Sequence, residues 1–97
     1  MKVFISADAE ADLRQIADFI AHDNPLRAAT FTAELRRKAM AIGQFPRAYP
    51  RKPNLGPNHR AAIHRPYVIV FRIEDEKVYV VRILHGARDL SAIFNTP

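Results

Sequence analysis

Between Tyr67 and Asp89 the chain reads YVIVFRIEDEKVYVVRILHGARD, two runs of β-branched and aromatic residues around Glu74-Asp75-Glu76-Lys77. Runs of that composition and length predict two strands joined by a tight turn. With Asp75-Glu76 as the loop and Glu74 opposite Lys77, alternation places Tyr67, Ile69, Phe71 and Ile73 on one face with Val78, Val80, Arg82 and Leu84. The other face takes Val68, Val70, Arg72, Tyr79, Val81, Ile83 and His85. Both faces are mostly apolar, which predicts a cover on each side of the sheet.

The N-terminal half switches to helical spacing. Lys2-Val3-Phe4-Ile5 predicts a short strand, and Ser6 stands at an N-cap position with Asp8 and Glu10 in the following turn. Leu13, Ile16, Ala17 and Ile20 then form one apolar stripe. Asn24-Pro25 ends this helix and opens a second, because asparagine caps well and proline fits the first helical position. The second stripe is Ala28, Phe31, Leu35, Ala39 and Ile42, with Gly43 expected as the residue past the helix end. From Phe45 to Asn58 the pattern stops: Pro46, Pro50, Pro53 and Pro57 predict a surface connection that exposes Arg47, Arg51 and Lys52. Arg60–His64 predicts one more strand, leading through Arg65-Pro66 into the hairpin. After Gly86, the spacing of Leu90, Ile93 and Phe94 predicts a short C-terminal helical turn. The order is β-α-α-β-β-β: an α+β fold, with a small, mainly antiparallel twisted sheet packed on an N-terminal helical hairpin. Ninety-seven residues make a single domain, 1–97.

Charge changes the picture more by its distribution than by its total of +5. Residues 1–34 carry six acids against three Lys/Arg, residues 35–73 carry nine Lys/Arg and no acid, and residues 74–97 carry four acids against three Lys/Arg. A block of that kind favours an anionic partner, nucleic acid or an acidic polypeptide segment. The plain alternative is a solvated basic surface. The chain has no cysteine, so disulfides and thiolate metal sites are excluded. No basic-then-apolar leader and no long apolar run stand out, so the expectation is a cytoplasmic protein without a membrane association.

Candidate chemistry is sparse. His22, His59, His64 and His85 form no metal-spaced motif, and there is no nucleophile elbow or phosphate-binding glycine loop, so neither a metal nor a cofactor is expected. Near the sheet stand Arg60, Arg65, Arg72, Arg82, His85 and Arg88. A metal-free RNA-cleaving site needs positive charge around the scissile phosphate and a group that moves a proton, for which His85 with Arg88 is the candidate pair. The structural alternative is that Asp12, Asp18 or Glu34 neutralises Arg82, and that Arg88 and Asp89 tether the final turn.

The order of elements, Asn24-Pro25 between the helices, Arg60 before the hairpin, YVIVFRI and the terminal HGARD together resemble the RelE/ParE toxin superfamily of bacterial type II toxin–antitoxin modules. ParE here is the plasmid-stabilisation toxin, not the topoisomerase subunit. HGARD is similar to the ParE branch. RelE-type members are ribosome-dependent messenger-RNA endonucleases. The resemblance places their lysine positions at His59 and Ala61, their arginine after the hairpin-opening aromatic at Val68, and their C-terminal tyrosine at Phe94. Only Arg88 matches. Val68 cannot stabilise a phosphorane and Phe94 cannot donate a proton, so a nuclease of that design is not expected, and no catalytic residue is assigned.

The resemblance to ParE implies instead a non-enzymatic toxin that inhibits DNA gyrase through protein contacts. It also implies a ParD-like antitoxin whose acidic C-terminal segment folds onto the toxin, a hetero-oligomeric complex, and contact with operator DNA only through that antitoxin. Such a segment would cover the second sheet face at Val68, Val70, Arg72, Tyr79, Val81 and Ile83. Charge and expected exposure nominate Arg51, Lys52, Arg60, Arg65 and Arg88 for the target. Two alternatives stand beside this reading: a RelE-like ribonuclease with a site rebuilt around His85 and Arg88, and a non-toxic co-repressor that only binds an antitoxin.

Overall fold

The computed structural model describes residues 1–87. The elements are β1 (Lys2–Ile5), α1 (Ala7–Ala21), α2 (Pro25–Ala41), β2 (His59–His64), β3 (Tyr67–Glu74) and β4 (Lys77–His85), with 3-10 turns at Ile42–Gln44 and Pro46–Ala48. They form one four-stranded sheet in the order β1-β4-β3-β2. β1 runs parallel to β4, from Lys2 opposite Lys77 to Ile5 opposite Val80, and the other two pairings are antiparallel. The α+β reading and the order of elements therefore hold, while the helical turn predicted over Leu90, Ile93 and Phe94 lies outside the described residues.

The two helix starts follow their caps. Ser6 Oγ accepts from the Ala9 N–H at 3.0 Å and donates to the Val81 carbonyl at 2.9 Å, so one hydroxyl both caps α1 and ties it to β4. Asn24 Oδ1 accepts from the Arg27 N–H at 3.0 Å, with Pro25 at the first turn of α2. Helices of this length are marginal alone, so their stability comes from the stripe they bury. Leu13, Ile16, Phe31, Leu35, Ala39 and Ile42 pack against Ile69, Phe71, Val78, Val80 and Ile83 of the sheet.

Gly43 has a different role from the expected one. α2 runs through Ile42 directly into a 3-10 turn, and the Gly43 carbonyl accepts from the Met1 ammonium at 2.7 Å. A Cβ on Gly43 would collide with the Met1 main-chain oxygen. The glycine is there because two backbones meet.

The β3–β4 hairpin has the expected turn, with Glu74 opposite Lys77 and both loop residues in the left-handed region, Asp75 at φ 51° and Glu76 at φ 59°. The predicted faces hold only near that turn. Phe71 stands opposite Val80 but Val70 stands opposite Arg82, so Val81 is an extra residue and the alternation inverts beyond it. Ile83 consequently packs in the core on the helix side, 1% exposed, and the His85 ring stands edge-on to Tyr67 of the same core. The expectation that Ile83 and His85 lie on the second face is corrected by this bulge.

The proline-rich connection is more ordered than a plain crossover requires. Lys52 N–H bonds to the His59 carbonyl at 2.9 Å, Ala61 N–H to the Pro50 carbonyl at 3.3 Å, and Arg51 forms a bridge with Arg60. Leu55, 3% exposed, anchors the loop. Residues 50–52 thus cover the free edge of β2, where unpaired backbone groups would otherwise invite pairing with another chain.

Candidate functional site

The sheet face turned away from the helices carries a row of side chains that crosses all four strands. Register places Phe4 opposite Tyr79, Tyr79 opposite Arg72, and Arg72 opposite His59. The Phe4 and Tyr79 rings stack with centroids 5.5 Å apart and planes 20° apart, and the Arg72 guanidinium carbon lies 5.2 Å from the Tyr79 centroid. Arg72 Nε also meets Glu74 at 3.0 Å, an exposed pair of little energetic weight. At the far end of the row, burial first and then the Arg72 charge hold the His59 imidazole below its usual pKa. Phe4 is 43% exposed, so the row ends in an accessible aromatic ring.

Of the residues predicted for a partner on this face, Val68, Arg72, Tyr79 and Val81 are half-buried and reachable. Val70 is fully covered and Ile83 is on the opposite side, so neither side chain presents a surface here. Phe4 escaped the sequence reading because its place depends on β1 pairing in parallel with β4, a contact across the whole chain that no local pattern encodes. Ile63, opposite Val68 and 59% exposed, extends the apolar part of the face.

A second feature lies where the proline-rich loop meets β2. Arg47, Arg51, Asn58, Arg60 and Ile73 line a cleft of about 160 Å³. Arg60 Nη1 donates to the Tyr49 carbonyl at 2.7 Å and to the Arg47 carbonyl at 3.3 Å, which fixes its guanidinium in the wall. Of the residues nominated for a target, this site brings Arg51 and Arg60 together, with Lys52 next in the chain. Arg65 stands in the turn at the other end of β2, and Arg88 lies outside the described residues. Arg47 and Asn58 join the cleft, and only the fold of the loop reveals it.

Arg82 and His85 are each engaged by other groups, and Arg88, the candidate companion of His85, lies outside the described residues. Asp12 of α1, 5% exposed, takes both Arg82 Nε and Nη2 at 2.8 and 2.9 Å and accepts the Ile83 N–H at 2.9 Å. Three donors satisfy this carboxylate, and the pair ties α1 to β4 past the point where β1 ends. Asp12 was one of three acids the sequence offered for Arg82; Glu34 instead pairs with Arg27. His85 Nδ1 accepts from the Ala87 N–H at 3.0 Å. Among the described residues no group of three His, Asp or Glu side chains could hold a metal ion, and no helix is long and apolar enough to cross a membrane.

Residues 3–90 match the family model of the ParE toxin of the parDE type II toxin–antitoxin system. The chain belongs to the ParE toxin family. A curated relative, "Toxin RelE2" of Caulobacter vibrioides, is 33% identical over 82 residues, which is 82% of this chain and 89% of that protein. The structure of a chromosomal ParDE toxin–antitoxin system from P. aeruginosa superposes with a TM-score of 0.77 at 22% identity, over 88% of this chain and 95% of that one. Membership in the ParE family places the row on the open sheet face and the arginine cleft on a toxin scaffold of the RelE/ParE superfamily, as the hairpin and HGARD implied.

Proposed function

We propose that this ParE-family chain is a non-enzymatic toxin that inhibits DNA gyrase and is neutralised by a ParD-like antitoxin. The observation that carries the reading is the chemistry of the positions where a RelE-type endonuclease needs cations. His59 stands at one lysine position with its imidazole held toward the neutral form, Ala61 at the other is 3% exposed, and Val68 stands where an arginine would face the phosphate. Ala61 and Val68 offer no group that could stabilise developing negative charge, and a neutral His59 brings no positive charge to the phosphate. His85, the proton carrier that the sequence nominates, stands edge-on to the Tyr67 ring and accepts the Ala87 N–H on Nδ1.

The antitoxin's acidic C-terminal segment lies, in this reading, over Phe4, Val68, Arg72, Tyr79 and Val81, burying aromatic surface while its carboxylates meet Arg72 and the basic block. The target is met by the basic residues of the loop and strand edges, Arg51, Lys52, Arg60 and Arg65, with Arg88 beyond the described chain. Two assays on the chain freed of antitoxin test this. Supercoiling by gyrase is expected to fall, with cleaved plasmid accumulating, while messenger on translating ribosomes stays intact. Cut messenger with unaffected gyrase would overturn it, and absence of both effects would favour the co-repressor reading.

A further inference from the structure

The arginine cleft raises a question that the fold alone does not answer. At their bridge Arg51 and Arg60 stand as cross-strand neighbours, and like charges so placed destabilise a sheet. Among the described residues neither meets a carboxylate. Of the cleft's arginines, Arg47 meets Glu76 at 3.3 Å with side chains 60% and 77% exposed, a screened contact worth little. The positive region continues: Lys38 Nζ lies 5.6 Å from the Tyr49 ring centroid, and Tyr49 is the residue whose carbonyl fixes Arg60. Arg47, Arg51 and Arg60 thus surround a recess of about 160 Å³, room for one oxyanion, with the Lys38 ammonium over Tyr49 extending the basic tract beyond it.

We propose that this cleft is a phosphate site that grips the sugar–phosphate backbone of nucleic acid. Arginine forks suit phosphate oxygens, and the Asn58 amide adds a neutral donor. Of the lining residues only Ile73 is apolar, so the cleft offers little to the apolar side chains from which a folding peptide segment draws its affinity. A polynucleotide needs no more than the cations, since backbone contacts position a protein without reading sequence. The inference rests on the proposal that Arg51 and Arg60 face the target, and it names what they hold there: a phosphodiester at the target rather than only protein side chains.

The test uses the whole chain, freed of antitoxin, with a labelled 20-base-pair DNA duplex and a labelled 20-nucleotide RNA in fluorescence anisotropy from about 50 to 200 mM salt. For Arg47→Gln/Arg51→Gln the slope of log K against log salt is expected to fall by about 1.8 with the duplex and about 1.4 with the single-stranded RNA, with at least a tenfold weaker Kd at low salt, as about 0.9 and about 0.7 per lost phosphate contact dictate. Lys2→Gln/Arg14→Gln, which removes the same charge from exposed positions outside the cleft, is expected to stay within about twofold of the parent. Arg60 is left intact because it holds the loop, and thermal melts confirm that both variants are folded. Tighter binding of the duplex or of the RNA identifies the source of the phosphate; either supports the site. Equal losses in the two variants, or no binding by the parent, would overturn it. So would a Glu-rich decapeptide that loses affinity on Arg47→Gln/Arg51→Gln while DNA binding does not. Gyrase inhibition by a parent chain that binds no DNA sinks this inference alone; DNA binding that needs the cleft, with gyrase unaffected, sinks only the gyrase reading.

Discussion

Asp12 shows how much one side chain decides. It is a buried carboxylate, and taking such a charge out of water costs several kcal/mol unless its partners are in place. Here they are: two guanidinium donors from Arg82 and the Ile83 amide. Asp12→Ala is therefore expected to destabilise the chain by about 3–5 kcal/mol in urea unfolding, because it strands a partly buried guanidinium and an amide. Asp12→Leu/Arg82→Met, which replaces both charges with apolar groups, is expected to recover most of that loss in a double-mutant cycle. A double variant as unstable as Asp12→Ala would show that the Ile83 amide bond matters more than the ion pair.

Within the elements, what was legible followed from local chemistry. Ser6 and Asn24-Pro25 gave both helix starts, and the acidic turn gave the hairpin and its register. The bulge at Val81 was not legible, because a period-two pattern of apolar residues reads the same with or without one extra residue when both faces are apolar. That single residue moved Ile83 and His85 across the sheet. The arginine cleft was half legible: exposure of Arg51 followed from the prolines, but its meeting with Arg60 depends on how the loop edges β2. The hairpin turn itself holds strain, since Asp tolerates the left-handed region and Glu does so poorly. Glu76→Gly is expected to stabilise by roughly 1 kcal/mol, read as a rise in Tm of about 4–8 °C, with the exposed Arg47 contact too weak to offset it. A fall in Tm would mean that the Arg47–Glu76 contact is worth more than its exposure suggests.

Across the whole molecule the candidate features separate by surface. The helices seal one side of the sheet, the Phe4–Tyr79–Arg72 row occupies the other, and the basic tract lies along the β2 edge. Arg72→Glu reverses a charge in the middle of the row without touching the core, so the antitoxin Kd is expected to weaken by at least tenfold, for about 1.4 kcal/mol or more, while the Tm of the free toxin shifts by only a few degrees. An unchanged Kd in calorimetry would move the antitoxin elsewhere. The parallel pairing of β1 with β4 also has a bearing on when the protein comes into being. Its first strand has no partner until residues 77–80 exist, and Ser6 and Asp12 await groups 75 and 70 residues later. Such distant pairing makes for slow folding, and a chain emerging from the ribosome at roughly 5–20 residues per second spends most of its synthesis without a finished sheet. The growing polypeptide thus cannot present a finished sheet face until β4 has been translated, and on the reading proposed above that delay leaves time for an antitoxin already in the cell to be waiting at the exit.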